Sequence, residues 1–269
     1  TLHELEASIQ DITEDDDAEA AVKHWDEGMA FYAGSLEGED GSGSGWMLYN
    51  LADKRCQNFG TCKDGNTGGS YANVHALEAW TVGQGCAATK DVACMTHSFS
   101  QIVEQMTIPL IQGVLRYAYK ADPKSAGGGG AKEWAEGAAF ARAVLPQLNA
   151  CDPAVAALVA ANLGLDAAAP MKDGYTAVVS AIESCYHSIG VTCAEIGALD
   201  ETSPGADDGK WLTCTDESLT LAGYVTKKDV SMHSNVDKDG KAMEAFIDCQ
   251  DGCPNVGEIA QANWDKAYA

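Results

Sequence analysis

The sequence predicts an all-α fold, a helical bundle of two related halves whose loops are stapled by disulfide bonds. One observation is an internal echo: Lys23–Tyr32 recurs as Lys132–Ala141, with Lys, Trp, Glu, Gly, Ala and Phe shared without gaps. Such self-similarity is the sequence signature of a duplicated unit. A second is the long apolar-periodic segment 96–120, which is typical of a buried helix. The third is a set of ten cysteines, none of them in a C-x-x-C pattern.

The chain length fits one large domain or two small ones, and the features above bear on the choice. We expect residues 1–269 to form a single domain with pseudo-repeat halves 16–120 and 131–200. The glycine-rich stretch 121–131 has the composition of a flexible linker between the halves. The part from 201 to 269 is predicted to be irregular.

Composition and charge restrict the function. The formal net charge is −23 and the sequence pI is about 4.4, which argues against nucleic acid and anionic membranes as partners. No apolar run is long enough for a transmembrane helix. The sequence starts at Thr1 without a methionine, as either a processed mature chain or a trimmed one would. We therefore expect a secreted or periplasmic protein.

The cysteines favour disulfide bonds in an oxidising compartment, because their count is even and no zinc or thioredoxin motif is present. Connectivity does not follow from sequence alone. Proximity along the chain suggests the pairs Cys56–Cys62, Cys86–Cys94, Cys185–Cys193, Cys249–Cys253 and Cys151–Cys214.

In the first half, acidic residues precede a predicted helix from about Asp16 to Ala33, which ends at Gly34. Residues 35–70 are rich in Gly and Ser and are predicted to be a surface loop with one or two helical turns. Residues 71–80 form a predicted short helix. Pro109 is expected to kink or divide the helix over 96–120.

The second half opens with a predicted helix from Lys132 to Leu145, ended or bent by Pro146. Asp152 and Pro153 form an N-cap and a first helical position, and the helix they begin should reach Leu163. Three further segments are predicted: a helix over 174–190 containing Glu183 and His187, a polar turn over 235–240 that lacks the Glu of a calcium loop, and a C-terminal helix over 256–268.

The candidate metal ligands lie on the two predicted helices that carry the repeated segments Lys23–Tyr32 and Lys132–Ala141, here called the echo helices. His24 and Glu27 are three residues apart and share a face, and Glu133 and Glu136 do the same in the second copy. All four would meet if the two helices pack side by side. The alternative is that the Trp/Phe stripes are core and the charged residues are a solvated face.

A second candidate pair, His75 and Glu78, repeats the His-x-x-Glu spacing. The alternative is one exposed His and one exposed Glu on a short helix. Carboxylates and imidazole together suit iron, and helix bundles commonly build metal sites from such inward pairs. Ferritin-like di-iron enzymes use the reverse order, Glu-x-x-His, so that class is not supported.

Three segments, His24–Tyr32, Phe99–Tyr119 and Glu133–Pro146, carry a family resemblance. Together they resemble the algal iron-assimilating proteins, the low-iron-inducible periplasmic proteins of green algae, over roughly Asp16 to Cys193. The resemblance implies a secreted protein that binds ferric iron, Fe(III), and assists its uptake under iron limitation. A cell-surface iron transporter or reductase is the partner it implies.

The related phytotransferrins couple ferric iron to carbonate. By that analogy a carbonate or bicarbonate co-ligand is expected here, with Arg116 as the residue that holds the anion; the alternative for Arg116 is a structural ion pair. A weaker likeness links Asn73–Glu78 to the Gly-x-His-x-x-Glu motif of imelysin-like iron-uptake proteins, with Asn73 in place of the Gly.

The expected protein binds and hands over metal and is not an enzyme, since no nucleophile elbow, P-loop or dinucleotide fingerprint is present. Two rival functions use the same features. One is a metal-dependent secreted hydrolase or oxidase. The other is an acidic extracellular structural protein that binds no metal.

Overall fold

A computed structural model describes residues 1–66, 68–125, 128–167 and 170–199, and two short strands further on. The chain divides into two compact units, Thr1–Thr215 and Asp216–Ala269. The described residues of the first unit are mostly helical, which confirms the predicted all-α class. Its helices are α1 (Leu2–Asp15), α2 (Ala18–Ala33), α3 (Leu48–Phe59), α4 (Lys63–Asn66), α5 (Tyr71–Ala88), α6 (Val92–Ala121), α7 (Ala131–Cys151), α8 (Pro153–Leu163), α9 (Tyr175–Glu183), α10 (Tyr186–Ile189) and α11 (Cys193–Ile196). In the second unit, β1 (Thr220–Leu221) pairs antiparallel with β2 (Tyr224–Val225).

Helices α1 and α2 form a tight hairpin. Asp16 turns the chain in the left-handed region with φ of 54°, a conformation that Asp tolerates better than most residues. The carboxylate of Asp17 then accepts hydrogen bonds from the backbone of Glu19 and Ala20 and caps α2. Ser8 donates to the carbonyl of Ala21 at 2.6 Å, which fixes the register of the two helices. This register decides which polar side chains of α1 meet those of α2.

Two hydrophobic clusters make up the core of the described unit. The N-terminal core joins side chains of α1, α2, α5 and the first part of α6, including Leu5, Trp25, Tyr32, Trp80 and Ile102. The second core joins the rest of α6 to α7, α8 and α9, including Ile111, Val114, Leu148, Leu163 and Ile182. Helix α6, 30 residues long, supplies side chains to both clusters, and α5 adds Ala72 to the second one.

Glycines allow close helix approaches in both cores. Trp25 of α2 lies where a β-carbon on Gly83 of α5 would be, and Phe140 of α7 lies in the same way over Gly113 of α6. Trp25 also donates from its indole nitrogen to the carbonyl of Trp80 at 2.9 Å. In each core, therefore, an aromatic ring packs against a glycine of the neighbouring helix.

Several predicted element boundaries need correction. Helix α1 was not predicted, and α3 is a full helix where a loop with a turn or two was expected. Helices α6 and α7 continue through Pro109 and Pro146, so the predicted division at Pro109 and the predicted end at Pro146 are wrong. The alternatives, a kink at Pro109 and a bend at Pro146, stay predictions. The predicted helix over 174–190 is two pieces, α9 and α10, so Glu183 and His187 do not share one helix. The caps at Gly34 and at Asp152–Pro153 are confirmed.

The disulfides are partly as predicted. Cys56–Cys62 and Cys86–Cys94 are confirmed. Cys151 pairs with Cys185 rather than with Cys214, because α7 ends and α9 ends at neighbouring points with the two Cα atoms 5.9 Å apart. The predicted Cys185–Cys193 pair is therefore also wrong, although Cys193 is itself disulfide-bonded. The Cys249–Cys253 pair lies outside the described residues, as do the predicted turn over 235–240 and the helix over 256–268.

The internal duplication is not confirmed, and the halves 16–120 and 131–200 stay a prediction. The echo residues differ in their surroundings: Trp25 is almost fully buried, whereas Trp134 is half-buried. Phe31 is 57% exposed, while its counterpart Phe140 stacks on Tyr117 with ring centroids 5.5 Å apart.

Candidate metal-ligand cluster of the first helical hairpin

Glu4, His24 and Glu27 meet on one face of the α1–α2 hairpin. One ligand atom from each residue lies within 4.8 Å of the others, and all three side chains are half-buried. Because the two helices run antiparallel, the start of α1 faces the second turn of α2 and beyond. Two carboxylates and one imidazole converging in this way are the donor set of many metal sites.

Asp11 orients the imidazole of His24. Its Oδ2 lies 2.6 Å from Nδ1 of His24, and only 18% of the Asp11 side chain is exposed. A carboxylate in this position accepts the Nδ1 proton and leaves Nε2 as the nitrogen for a metal. This carboxylate–histidine arrangement is the usual outer-shell support of a metal-bound histidine.

Lys23 is the charged neighbour of the cluster. Its Nζ lies 3.6 Å from Oε1 of Glu27 across one helical turn, and the side chains of Lys23 and Glu27 are 70% and 42% exposed. An exposed pair of this kind contributes little stability. A metal ion would therefore meet little competition for Glu27.

Glu133 and Glu136 do not join this cluster. Helix α7 packs mainly against α6 and α8, whereas α2 packs against α1, α5 and α3. Among the described residues the structure does not form the predicted side-by-side pair of echo helices. Glu27 and Glu136 therefore belong to different neighbourhoods, and a common ion held by both is not supported.

Glu136 lies beside Tyr117 and Arg116 of α6. Burial raises the pKa of the Tyr117 phenol, and a hydrogen bond with Glu136 adds to the rise. Arg116 donates to the Tyr117 hydroxyl at 3.3 Å and lies over the Tyr117 ring, with its Cζ 5.3 Å from the centroid. These contacts tie Arg116 to Tyr117, whose ring stacks on Phe140 of α7 beside the second core.

His75 and Glu78 are both exposed on α5. The ring of His75 lies beside that of Tyr71, with centroids 6.2 Å apart. Asn73 is buried and has a structural role: it accepts from the Tyr32 hydroxyl at 2.6 Å and donates to Asp53 at 2.7 Å. The described residues near this pair add no third ligand to it.

Sequence reasoning missed Glu4 and Asp11 as members of the site. The available signal was the helical spacing of Leu2, Leu5, Ile9 and Ile12, which indicates an amphipathic helix ahead of α2. Acidic residues 14–17 instead suggested that the first helix begins later. Without α1 there was no element to carry a third ligand to His24 and Glu27.

The fold and this cluster define an acidic, disulfide-bonded, all-α protein with a carboxylate–imidazole group on a helical hairpin. The model of the low iron-inducible periplasmic protein family matches residues 1–222, and the chain belongs to that family. Neither the curated proteins nor the solved structures show a significant match to this chain.

Family membership confirms the predicted resemblance and the predicted periplasmic location. The family description ties the protein to the response to low iron and names no enzymatic activity. None of the described helices is long and apolar enough to cross a membrane.

Proposed function

We propose that the protein binds ferric iron in the periplasm and assists its uptake when iron is scarce. The observation that carries this proposal is the Glu4–His24–Glu27 cluster, supported by the hydrogen bond from His24 to Asp11. Family membership supports the iron context. Of the predicted ligands, the proposal keeps His24 and Glu27 and adds Glu4.

The donor chemistry suits ferric iron. Carboxylate oxygens are hard ligands that stabilise a small, highly charged cation, and imidazole is an accepted ligand of iron. Three protein ligands leave coordination positions open for water or a small anion. Carbonate or bicarbonate would fit such positions as an external co-ligand, while Arg116 lies with the other core and is not part of this proposed site.

The position of the cluster suits transfer of iron to a partner. Its three side chains are half-buried, so a bound ion would be shielded but reachable from one side. A surface transporter or reductase could receive iron there without unfolding the protein. The high negative charge raises the local concentration of cations around the chain.

Elemental analysis of protein purified without chelator, followed by titration with ferric citrate, tests the proposal. We expect one iron per chain at the cluster, lost in Glu27→Gln and retained in Glu136→Gln. These variants are a matched pair, because they make the same change at equivalent positions of the two echo helices. Repeating the titration with and without bicarbonate tests the anion co-ligand.

Equal loss in both variants would support the predicted shared site and contradict the hairpin site. Unchanged iron content in Glu27→Gln and in Glu4→Gln would refute the cluster as the binding site. A wild-type protein that takes up no iron under any condition would refute the function itself. Circular dichroism of each variant separates loss of ligand from loss of fold.

A further inference from the structure

Glu37 is a buried carboxylate in the loop that joins α2 to α3. It ends the short 3-10 turn Ser35–Glu37 and is only 2% exposed. Its Oε1 accepts a hydrogen bond from the backbone of Gly45 at 2.8 Å, while its Oε2 is buried with no hydrogen-bond partner. Among the described residues, no Lys, Arg or His forms an ion pair with it.

A carboxylate withdrawn from water needs a proton or a cation to neutralise it. The surroundings of Glu37 are acidic and favour a cation. The pKa of the nearby Tyr49 phenol is raised by burial first, and then by the charges of Asp53, Glu37 and Asp40. Three carboxylates therefore lie near a single phenol in this part of the molecule.

The loop sequence supplies further oxygen atoms close to Glu37. Asp40, Ser42 and Ser44 alternate with glycines, so three oxygen-bearing side chains follow Glu37 within seven residues. The stretch is not an EF-hand loop, because Leu51 stands at its twelfth position, and Glu37 would supply the anchoring carboxylate instead. Oδ1 of Asp40 accepts from both the backbone and the hydroxyl of Ser42, at 3.1 and 2.7 Å. These bonds hold the loop in a curled form before any ion binds.

The loop is also wrapped closely around the Glu37 side chain. A β-carbon on Gly43 would overlap the backbone of Leu36 and Glu37, and one on Gly45 would overlap Oε1 of Glu37. Gly43 also donates to the carbonyl of Glu37 at 2.9 Å. The buried carboxylate and the possible backbone and hydroxyl ligands therefore lie within one short stretch of chain.

We propose that the loop from Ser35 to Tyr49 binds a hard divalent cation, Ca²⁺, with Glu37 as its anchoring carboxylate. This site shares no residue with the Glu4–His24–Glu27 cluster and does not depend on iron binding. Oε2 of Glu37 is the atom that the cation would bind, and hydroxyl and carbonyl oxygens of the loop would complete the coordination shell. Its role would be to fix a glycine-rich loop that has little apolar packing of its own.

Terbium luminescence tests the site, because Tb³⁺ replaces Ca²⁺ and is excited through nearby Trp46 or Tyr49. The titration is done in a His24→Ala/Glu27→Gln background, which removes the proposed iron ligands. We expect sensitised emission that Ca²⁺ displaces, and an affinity about tenfold or more weaker after Glu37→Gln. Glu39→Gln is the matched control, since Glu39 is an exposed carboxylate two residues away.

Equal weakening in both variants, or none in either, would overturn the proposal in favour of nonspecific attraction to an acidic surface. A second measurement covers the case in which Glu37→Gln fails to fold. Ca²⁺ should raise the Tm of the wild-type protein and of Glu39→Gln, whereas Mg²⁺ at the same concentration should do so less. No rise with Ca²⁺ would also overturn the proposal.

Discussion

Asp11 and His24 are joined by a 2.6 Å contact between Oδ2 and Nδ1 across the first helical hairpin. This pairing fixes the imidazole before any metal arrives. We predict that Asp11→Asn weakens ferric iron binding by about tenfold to a hundredfold, because an outer-shell carboxylate both orients a histidine ligand and raises its basicity. Competition with a chelator of known affinity measures the change.

Asp15→Asn is the control for that experiment. Asp15 is exposed at the end of α1, so its substitution makes the same change in net charge without touching His24. If both variants lose affinity equally, the effect is one of overall charge, and the orienting role of Asp11 is wrong.

Gly83 and Gly85 of α5 provide a matched test of close packing. Alanine at position 83 would place its β-carbon inside the Trp25 ring, whereas nothing lies within 4 Å of a β-carbon at position 85. We expect Gly83→Ala to destabilise the protein by about 1–3 kcal/mol through overpacking. Gly85→Ala should instead be neutral or stabilising by up to about 1 kcal/mol, because alanine favours helix. Urea unfolding distinguishes the two.

The buried phenol of Tyr32 should lower the free energy of unfolding at alkaline pH. Burial is the main cause that raises the pKa of its phenol far above 10.0, with further rises from Asp53 and Tyr49. Above about pH 10 the unfolded chain releases this proton while the folded chain keeps it, so the free energy of unfolding falls as pH rises from there toward the folded-state pKa. Urea unfolding at several pH values between about 8 and 11 should show that decline.

Tyr32→Phe should make the decline shallower, although Tyr175 and Tyr186, whose pKa values are also raised by burial, keep part of it. The variant should be less stable at neutral pH by about 1–3 kcal/mol, because Asn73 loses its 2.6 Å donor in a buried position. An unchanged pH slope in Tyr32→Phe would assign the alkaline loss to other groups.

The Cys151–Cys185 bond should contribute more stability than Cys56–Cys62. The first spans 34 positions along the chain and the second spans 6. In the chain-entropy model, replacing each pair by alanine costs about 4 kcal/mol for the longer loop and about 2 kcal/mol for the shorter. Comparison of the two double variants by thermal unfolding checks the order. A larger loss of stability on removing Cys56–Cys62 would show that lost packing, rather than loop closure, determines the contribution of these disulfides.

Local signals in the sequence predicted local structure well. Single residues determine where α8 starts and where α2 ends. The start at Asp152–Pro153 and the end at Gly34 both occur as expected. Pro109 does not divide its helix, because its local cost is outweighed by burial of the helix on both sides of it. Such an outcome depends on tertiary packing, which the local pattern does not contain.

The candidate site was only half predictable for the same reason. His24 and Glu27 share a helical face, and that much follows from spacing. The choice of partner helix does not, since α2 could bury its apolar stripe against its echo or against α1. The two-residue connection at Asp16–Asp17 decides it, because so short a link holds α1 beside α2. Glu4 thus takes the place expected for Glu133 and Glu136.

Helix α6 has one further consequence. Met95 and Ile102 on its early turns serve one cluster, while Ile111 and Val114 serve the other, so neither cluster is complete on its own. Cleavage of the chain after Ala121 would expose apolar side chains of α6 in the amino-terminal fragment. It would also remove α6 from the core of the carboxy-terminal fragment. The two fragments should therefore stay associated after cleavage and should dissociate and unfold in a single cooperative transition.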